Sequence, residues 1–293
     1  MPADIAQLGP VAEIVELALR EDLAAGDITS RATIPRGTQA SAVIVAKQTL
    51  VLSGGGIAAE VFSRVDSSLA WRVEVEDGQR VGAGTVVFRV SGSARSLIAG
   101  ERTALNFMQR MSGIATQTAA YVEAAGPRLR VTDTRKTQPG HRALDRYAVR
   151  CGGAVNHRND LGAAVLIKEN HVRCSGGVGA AVRAARAAAP HTMRVECEVT
   201  NMDELKEALD AGADIVMLDN FDDAGLRDAV AVAKAHEGSN AILEASGGIT
   251  RDRLPKIAET GVDLVSVGAL THSVRAADLS MLVELDSVDS GEG

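Results

Sequence analysis

The chain has 293 residues, 46% of them hydrophobic and 24% charged, which allows a large core and excludes both disorder along its whole length and a fibrous repeat. Its formal charge is −7 and aromatic residues make up 2%, so neither a general polyanion binder nor a stacking platform for single-stranded nucleic acid is expected. The start, MPADIAQLGP, carries neither a basic nor an apolar leader segment, and no apolar run is long enough to span a membrane, which predicts a soluble, unprocessed chain. Cys151, Cys174 and Cys197 form an odd set without close CxxC spacing; they read as small buried hydrophobes in a reducing cytoplasm.

The first hundred residues read as mixed α and β. Apolar residues at helical spacing (Val11, Ile14, Val15, Ala18, Leu19) predict a helix that Gly26-Asp27 stops. Ala40–Ala46 and Leu50–Leu52 read as strands and 55–65 as a helix, while 71–75 and 86–90 are β-rich runs around a glycine-rich turn. From about Ser93 to Ala125 the period is helical, with an interruption expected at Ser112-Gly113. Short β-branched runs then alternate with Ala-rich helical ones: 129–132, 165–167, 194–199, 215–218, 241–245 and 264–267. Such a rhythm implies βα units and a parallel sheet, because parallel neighbours need a crossover.

What stands at the end of each run matters more than the run itself. In order these are Asp133-Thr134-Arg135-Lys136, Lys168, Glu198, Asp219, Ser246 and Gly268, the last four spaced by 21, 27 and 22 residues, each a fair length for one strand and helix. In an α/β barrel all strands point one way, so these tips converge on one mouth. The alternative, an open doubly wound sheet, lacks its GxGxxG after a first strand.

The segment 128–173 holds ten basic residues against four acidic ones in an otherwise acidic protein. Arg142, Arg146 and Arg150, four apart, read as a solvated helix face. Arg135, Lys136, Arg158 and Lys168, at strand ends or in glycine-rich turns, describe a small polyanionic ligand instead. Glu198 and Asp219 read either as ion-pair partners or as ligands of an Mg²⁺ that chelates a polyphosphate. Ser246-Gly247-Gly248 and Gly268 form glycine turns of the kind that bring backbone N–H groups to a phosphate.

Nine motifs stand in order: EDLAAGDIT (21–29), GERTALNFMQRMSGIAT (100–116), DTRKTQPGHR (133–142), GGAVNHRNDL (152–161), LIKENH (166–171), ECEV (196–199), LDNF (218–221), EASGGI (244–249) and SVGALTHS (266–273). Together they resemble the quinolinate phosphoribosyltransferase family over roughly residues 13–282. The resemblance implies an N-terminal α/β sandwich domain (1–112) and an incomplete, seven-stranded α/β barrel (113–272), with 273–293 packing back on the first domain. It implies transfer of phosphoribose from phosphoribosyl pyrophosphate to quinolinate with Mg²⁺, in a homodimer. Residue by residue it places Arg135, His157, Arg158 and Lys168 on quinolinate, and Arg102 in the neighbouring subunit's site. Lys136, Glu198 and Asp219 would serve the phosphoribosyl pyrophosphate and its metal, and Ser246, Gly247, Gly248 and Gly268 the 5′-phosphate, with His272 nearby. Catalysis would fall to Lys136, Lys168, Glu198 and Asp219.

Rivals are a phosphoribosyltransferase for a monoacid such as nicotinate, a non-catalytic phosphosugar-binding barrel, and a Schiff-base aldolase through Lys168. The acidic end, ELDSVDSGEG, has the composition of a disordered tail.

Overall fold

The computed structural model describes residues 9–238 and 240–285. These fold into two compact units, one formed by 9–119, 137–153 and 271–285, the other by 120–136 and 154–270.

The chain opens with α1 (Gly9–Leu23), α2 (Ile28–Thr33), β1 (Gln39–Ala46), β2 (Leu50–Val51), α3 (Gly55–Val65), β3 (Ala70–Val73), β4 (Arg80–Val81) and β5 (Val86–Ser93). Asp27 starts α2 as well as following α1: its carboxylate accepts the Ser30 N–H, satisfying a donor the first turn leaves open. There follow α4 (Ala94–Ala125), β6 (Arg130–Thr132) and α5 (Arg142–Cys151). Strand and helix then alternate through β7 (Val165–Ile167), α6 (Glu169–Ser175), α7 (Val178–Ala188), β8 (Val195–Val199), α8 (Met202–Asp210), β9 (Ile215–Asp219), α9 (Asp223–Ala235) and β10 (Ile242–Ser246). A 3₁₀ turn (Arg251–Arg253) leads to α10 (Leu254–Thr260), β11 (Leu264–Ser266), α11 (Ala269–His272) and β12 (Leu279–Leu285).

In the first unit an antiparallel sheet runs β12-β1-β5-β3. Phe62 of α3 stacks on Phe88 of β5, and Trp71 of β3 stacks on the same ring, so one sheet face finds its apolar partner in α3. β12 pairs with β1 from Ala40↔Leu285 to Ala46↔Leu279. Glu284 and Leu285, the first two residues of the acidic end, therefore lengthen a strand; the rest of that segment lies outside the described residues.

The interruption expected at Ser112-Gly113 does not occur, since α4 runs unbroken from Ala94 to Ala125. The two small residues serve packing instead. Ser112 Oγ accepts the Ser53 N–H and donates to the Ser53 carbonyl, both at 3.0 Å. A Cβ at Gly113 would overlap the Arg275 carbonyl oxygen. Arg146 likewise departs from the solvated face expected of it: the run Leu144–Val149 is buried throughout, and α5 packs against α1. Cys197 is buried as expected, whereas Cys174 is exposed and Cys151 half-buried.

The second unit is a parallel sheet in the order β6-β11-β10-β9-β8-β7. The expected seventh strand is reduced to a single parallel bridge, Thr132↔Val155, beside β6. Among the described residues no pairing joins that segment to β7, so the barrel stays open there. β8, β9 and β10 are buried along most of their length, as strands covered on both faces must be. Asn201 caps α8 and Asp222 caps α9, each accepting first-turn N–H groups, which ends the preceding strand-to-helix turn crisply. No helix among the described residues is long and apolar enough to cross a membrane.

Candidate active site

Because all six strands run the same way, their C-terminal tips gather Arg135, Lys136, Lys168, Glu198, Asp219 and Ser246 at one mouth. A cavity of about 120 Å³ opens there. Arg135, Lys136, Arg158, Lys168 and His157 line it together with Thr134, Ser246 and Ser266, over an apolar floor of Leu166 and Met217. Drug-sized pockets start at roughly 300 Å³, so this one suits a small molecule.

Adjacent residues on a regular strand face opposite ways. Arg135 and Lys136 escape that rule because β6 ends at Thr132 and the Thr134 hydroxyl accepts the Lys136 N–H at 3.1 Å, closing a turn from which both cations line the cavity. Arg135 Nε is buried without a hydrogen-bond partner in the protein, a donor that an anionic ligand would satisfy. Burial first, and then the charge of Arg135, depress the pKa of Arg158. Two guanidiniums close enough to oppose each other call for a ligand with two negative groups.

The two mouth carboxylates differ. Glu198 pairs with Lys168 Nζ. Asp219 is raised above the usual carboxylate range by burial and by the charge of Glu198, which shows the two acids facing one region. The Asn220 amide donates to Asp219 at 2.7 Å, and Asn220, at φ 59°, is in the left-handed region. A Cβ at Gly247 would overlap the Asn220 side chain, so glycine there, at φ 84°, permits the close approach of the two loops. Gly248 follows at φ 59°, and Gly268 closes β11 just before α11.

Beneath the mouth, His157 Nε2 lies 3.3 Å from Glu196 and 3.7 Å from Glu244. One ligand-type atom from each of the three lies within 4.8 Å of the others, a set capable of coordinating a divalent ion. The Arg158 N–H donates to His157 Nδ1 at 2.8 Å, which assigns the ring proton to Nε2. The ring therefore meets the carboxylates as a donor. Burial opposes charging this histidine, and Glu196, Glu244 and Asp133 outweigh it, raising its pKa; protonation at Nδ1 would nevertheless cost the Arg158 N–H bond, so the Nε2–H form is the one this geometry holds. Glu244, pressed by burial and then by Glu196, is pushed up to about 7.

Glu198, Asp219, Gly247, Gly248 and Gly268 stand at or just after strand tips without lining the cavity, and Arg102 and His272 belong to the first unit. Arg102 lines a separate groove of about 440 Å³ in the first unit, where its side chain is 60% exposed. His272 ends α11 with Nδ1 2.7 Å from Ser273 Oγ, and neither residue lines the mouth cavity. Conversely, Glu196, Glu244, Ser266 and Asn220 were not singled out from the sequence. A signal existed for two of them: in ECEV and EAS, the residue two before the tip shares its face, so Glu196 sits below Glu198 and Glu244 below Ser246.

A barrel mouth with clustered cations, a facing carboxylate pair and glycine turns defines an α/β enzyme that handles small polyanions. Residues 27–112 match the N-terminal domain model of quinolinate phosphoribosyl transferase, and residues 114–282 its C-terminal domain model. A Mycobacterium leprae protein, nicotinate-nucleotide pyrophosphorylase [carboxylating], is 43% identical over 92% of this chain and 95% of its own. A human protein of the same name is 40% identical over 92% and 91%. The solved nicotinate-nucleotide pyrophosphorylase of Francisella tularensis superposes with a TM-score of 0.88 at 41% identity, covering 97% of this chain and 98% of that one. The chain belongs to the quinolinate phosphoribosyltransferase family, and it is an enzyme of the phosphoribosyltransferase class.

Proposed function

We infer that the protein transfers the phosphoribosyl group of phosphoribosyl pyrophosphate to the ring nitrogen of quinolinate, releasing pyrophosphate and CO₂ and leaving nicotinate mononucleotide. The observation that carries this reading is the small cavity ringed by Arg135, Arg158 and Lys168 with Glu198 and Asp219 alongside. Arg135, Arg158 and Lys168 around one small cavity suit a diacid; a monoacid such as nicotinate would leave charge uncompensated in a half-buried site.

Arg135 and Arg158 are assigned to the two carboxylates of quinolinate, which guanidinium can grip in bidentate fashion, with Lys168 as a third, compact charge. His157 braces the same wall. The pyridine nitrogen brings its own lone pair, so no general base is required, and the residues act by positioning and electrostatics. Lys136 takes up charge on the leaving pyrophosphate, and Glu198 and Asp219 oppose the positive charge that grows at the ribose C1. Attack makes a pyridinium, whose positive charge stabilises the electron pair left on C2 when the C–C bond to CO₂ breaks, and a proton from solvent then forms the C2–H bond. Ser246, Gly247, Gly248 and Gly268 are assigned to the 5′-phosphate through backbone N–H groups.

Glu198 and Asp219 also fit Mg²⁺: burial and then the charge of Glu198 raise the cost of ionising Asp219, which a cation held by the two would relieve. When bound, the ion would screen pyrophosphate oxygens during departure. The chain is assigned to a homodimer in which the exposed Arg102 enters the partner's site. Three unpaired thiols suit a reducing compartment, and we place the reaction in the cytoplasm.

The test is to incubate the protein with quinolinate, phosphoribosyl pyrophosphate and Mg²⁺ and to follow nicotinate mononucleotide and CO₂ together, with nicotinate as a parallel acceptor. Equal yields of both products from quinolinate alone are expected. Turnover of nicotinate alone would overturn the diacid assignment.

A further inference from the structure

Asp133 lies just beyond β6 and is completely buried, yet it faces no assigned ligand. Its carboxylate holds a single loop at two points. Asn156 Nδ2 donates to Oδ2 at 2.7 Å, and the His157 backbone N–H donates to Oδ1 at 2.7 Å. The main chain repeats the connection, with Val155 N–H on the Val131 carbonyl at 3.0 Å and Asp133 N–H on the Val155 carbonyl at 3.3 Å. The joint is symmetric in sequence: Asp133 stands two residues before Arg135, and Asn156 two before Arg158. Each guanidinium thus hangs on an arm of equal length from one hydrogen-bonded pair.

Such a joint has electrostatic work to do. Arg135 and Arg158 line the same cavity, and the repulsion of two like charges there tends to drive their loops apart. A buried carboxylate bonded across the two loops ties one to the other, and it holds the pair in place before ligand arrives. We propose that Asp133, through Asn156 and the His157 main chain, is a positioning residue that sets the separation of Arg135 and Arg158 and so matches the mouth to an acceptor bearing two carboxylates. The proposal rests on the reaction inferred above.

Asp133→Asn tests it with almost no change of shape. The new amide can accept from His157 N–H, but its NH₂ then meets the NH₂ of Asn156, donor against donor. Asn156→Asp in the same chain restores an acceptor there, so the double variant D133N/N156D exchanges the two partners' chemistry while keeping the bond. Misplacement on the ångström scale can cost up to about a hundredfold, and in Asp133→Asn the KM for quinolinate should rise about tenfold or more. The KM for phosphoribosyl pyrophosphate should not move, inhibition by the monoacid nicotinate should weaken much less, and the double variant should recover most of the loss. Asn156→Ala, which keeps the His157 bond, should show a smaller rise of the same selective kind and carries the test if Asp133→Asn does not fold. A wild-type enzyme active on quinolinate whose variants keep its KM overturns the proposal alone. Equal rises for both substrates, or no recovery in the double variant, also overturn it by reducing Asp133 to general stability. A wild type inactive on quinolinate overturns the reaction reading, and the proposal with it.

Discussion

Lys168 and Glu244 show how one side chain's surroundings decide its contribution. Lys168, half-exposed and paired with Glu198, faces the cavity, so truncating it removes a charged contact to substrate and leaves Glu198 without its cation. A charge-assisted hydrogen bond contributes about 1.5–3 kcal/mol, equivalent to a roughly tenfold to hundredfold change in affinity. Lys168→Ala should raise the quinolinate KM by that factor, read from initial rates. Burial, and then the charge of Glu196, push the Glu244 carboxyl up to about 7 from its ordinary 4.5. Between those values the folded protein holds a proton that the unfolded chain has released, so stability falls as pH rises through that window. Glu244→Gln imitates the neutral acid and should lose this dependence. Its melting temperature relative to wild type should climb from pH 4.5 to pH 7 and level off above; parallel melting curves would refute the assignment.

The long helix α4 shows how an element can override its own residues. Glycine inside a helix costs about 1 kcal/mol relative to alanine, so propensity alone favours Gly113→Ala. The structure predicts the opposite, because the added methyl would strike the Arg275 carbonyl, a backbone atom that cannot swing aside as a side chain would. Overpacking of this kind costs about 1–3 kcal/mol, and the variant should unfold at lower denaturant concentration than wild type with an unchanged m-value. The same helix carries Arg110, whose guanidinium makes two bonds, at 3.0 and 2.9 Å, to the fully buried Asp145 of α5. One residue type therefore serves opposite ends: Arg110 is tied down inside its unit, whereas Arg102, eight residues earlier on the same helix, is exposed.

At the scale of the whole molecule the distribution of charge outweighs its sum. An acidic chain has concentrated its cations in 128–173, and the parallel strands carry four of them to one cavity. Arg102 lies in the first unit and lines a different groove, so its proposed role in a partner's site needs its own test. Mixed dimers provide the check: Arg102→Ala and Lys168→Ala protomers, each impaired alone, should recover activity when combined, because one of the two mixed sites keeps both side chains. Absence of recovery after demonstrated subunit exchange would mean that each site is built from one chain.

Much of this protein is determined by local sequence. Strand period, caps and turn glycines act over a few residues, and so the alternation of strands and helices, the polar tips from Arg135 to Gly268, and the cation-rich segment were all legible, as was membership of the family through motifs such as GERTALN and DTRKT. The edges of that legibility are physical. Ser112-Gly113 reads as a break because small residues weaken an isolated helix, and only the approach of Arg275 shows them to be a contact. Arg146 reads as solvated because its spacing is that of a helix face, and only the packing of α5 buries it. The seventh strand shrinks to one bridge at Val155, which no β-branched run announces. Sequence alone determined which residue types would meet at the mouth. Tertiary structure decided their partners: Asp133 with Asn156, His157 with Glu196 and Glu244, Asp219 with Asn220. The first two of these partnerships join strands and loops far apart in the chain, and in every case burial and the charges brought alongside, which no local pattern encodes, set what each group can do.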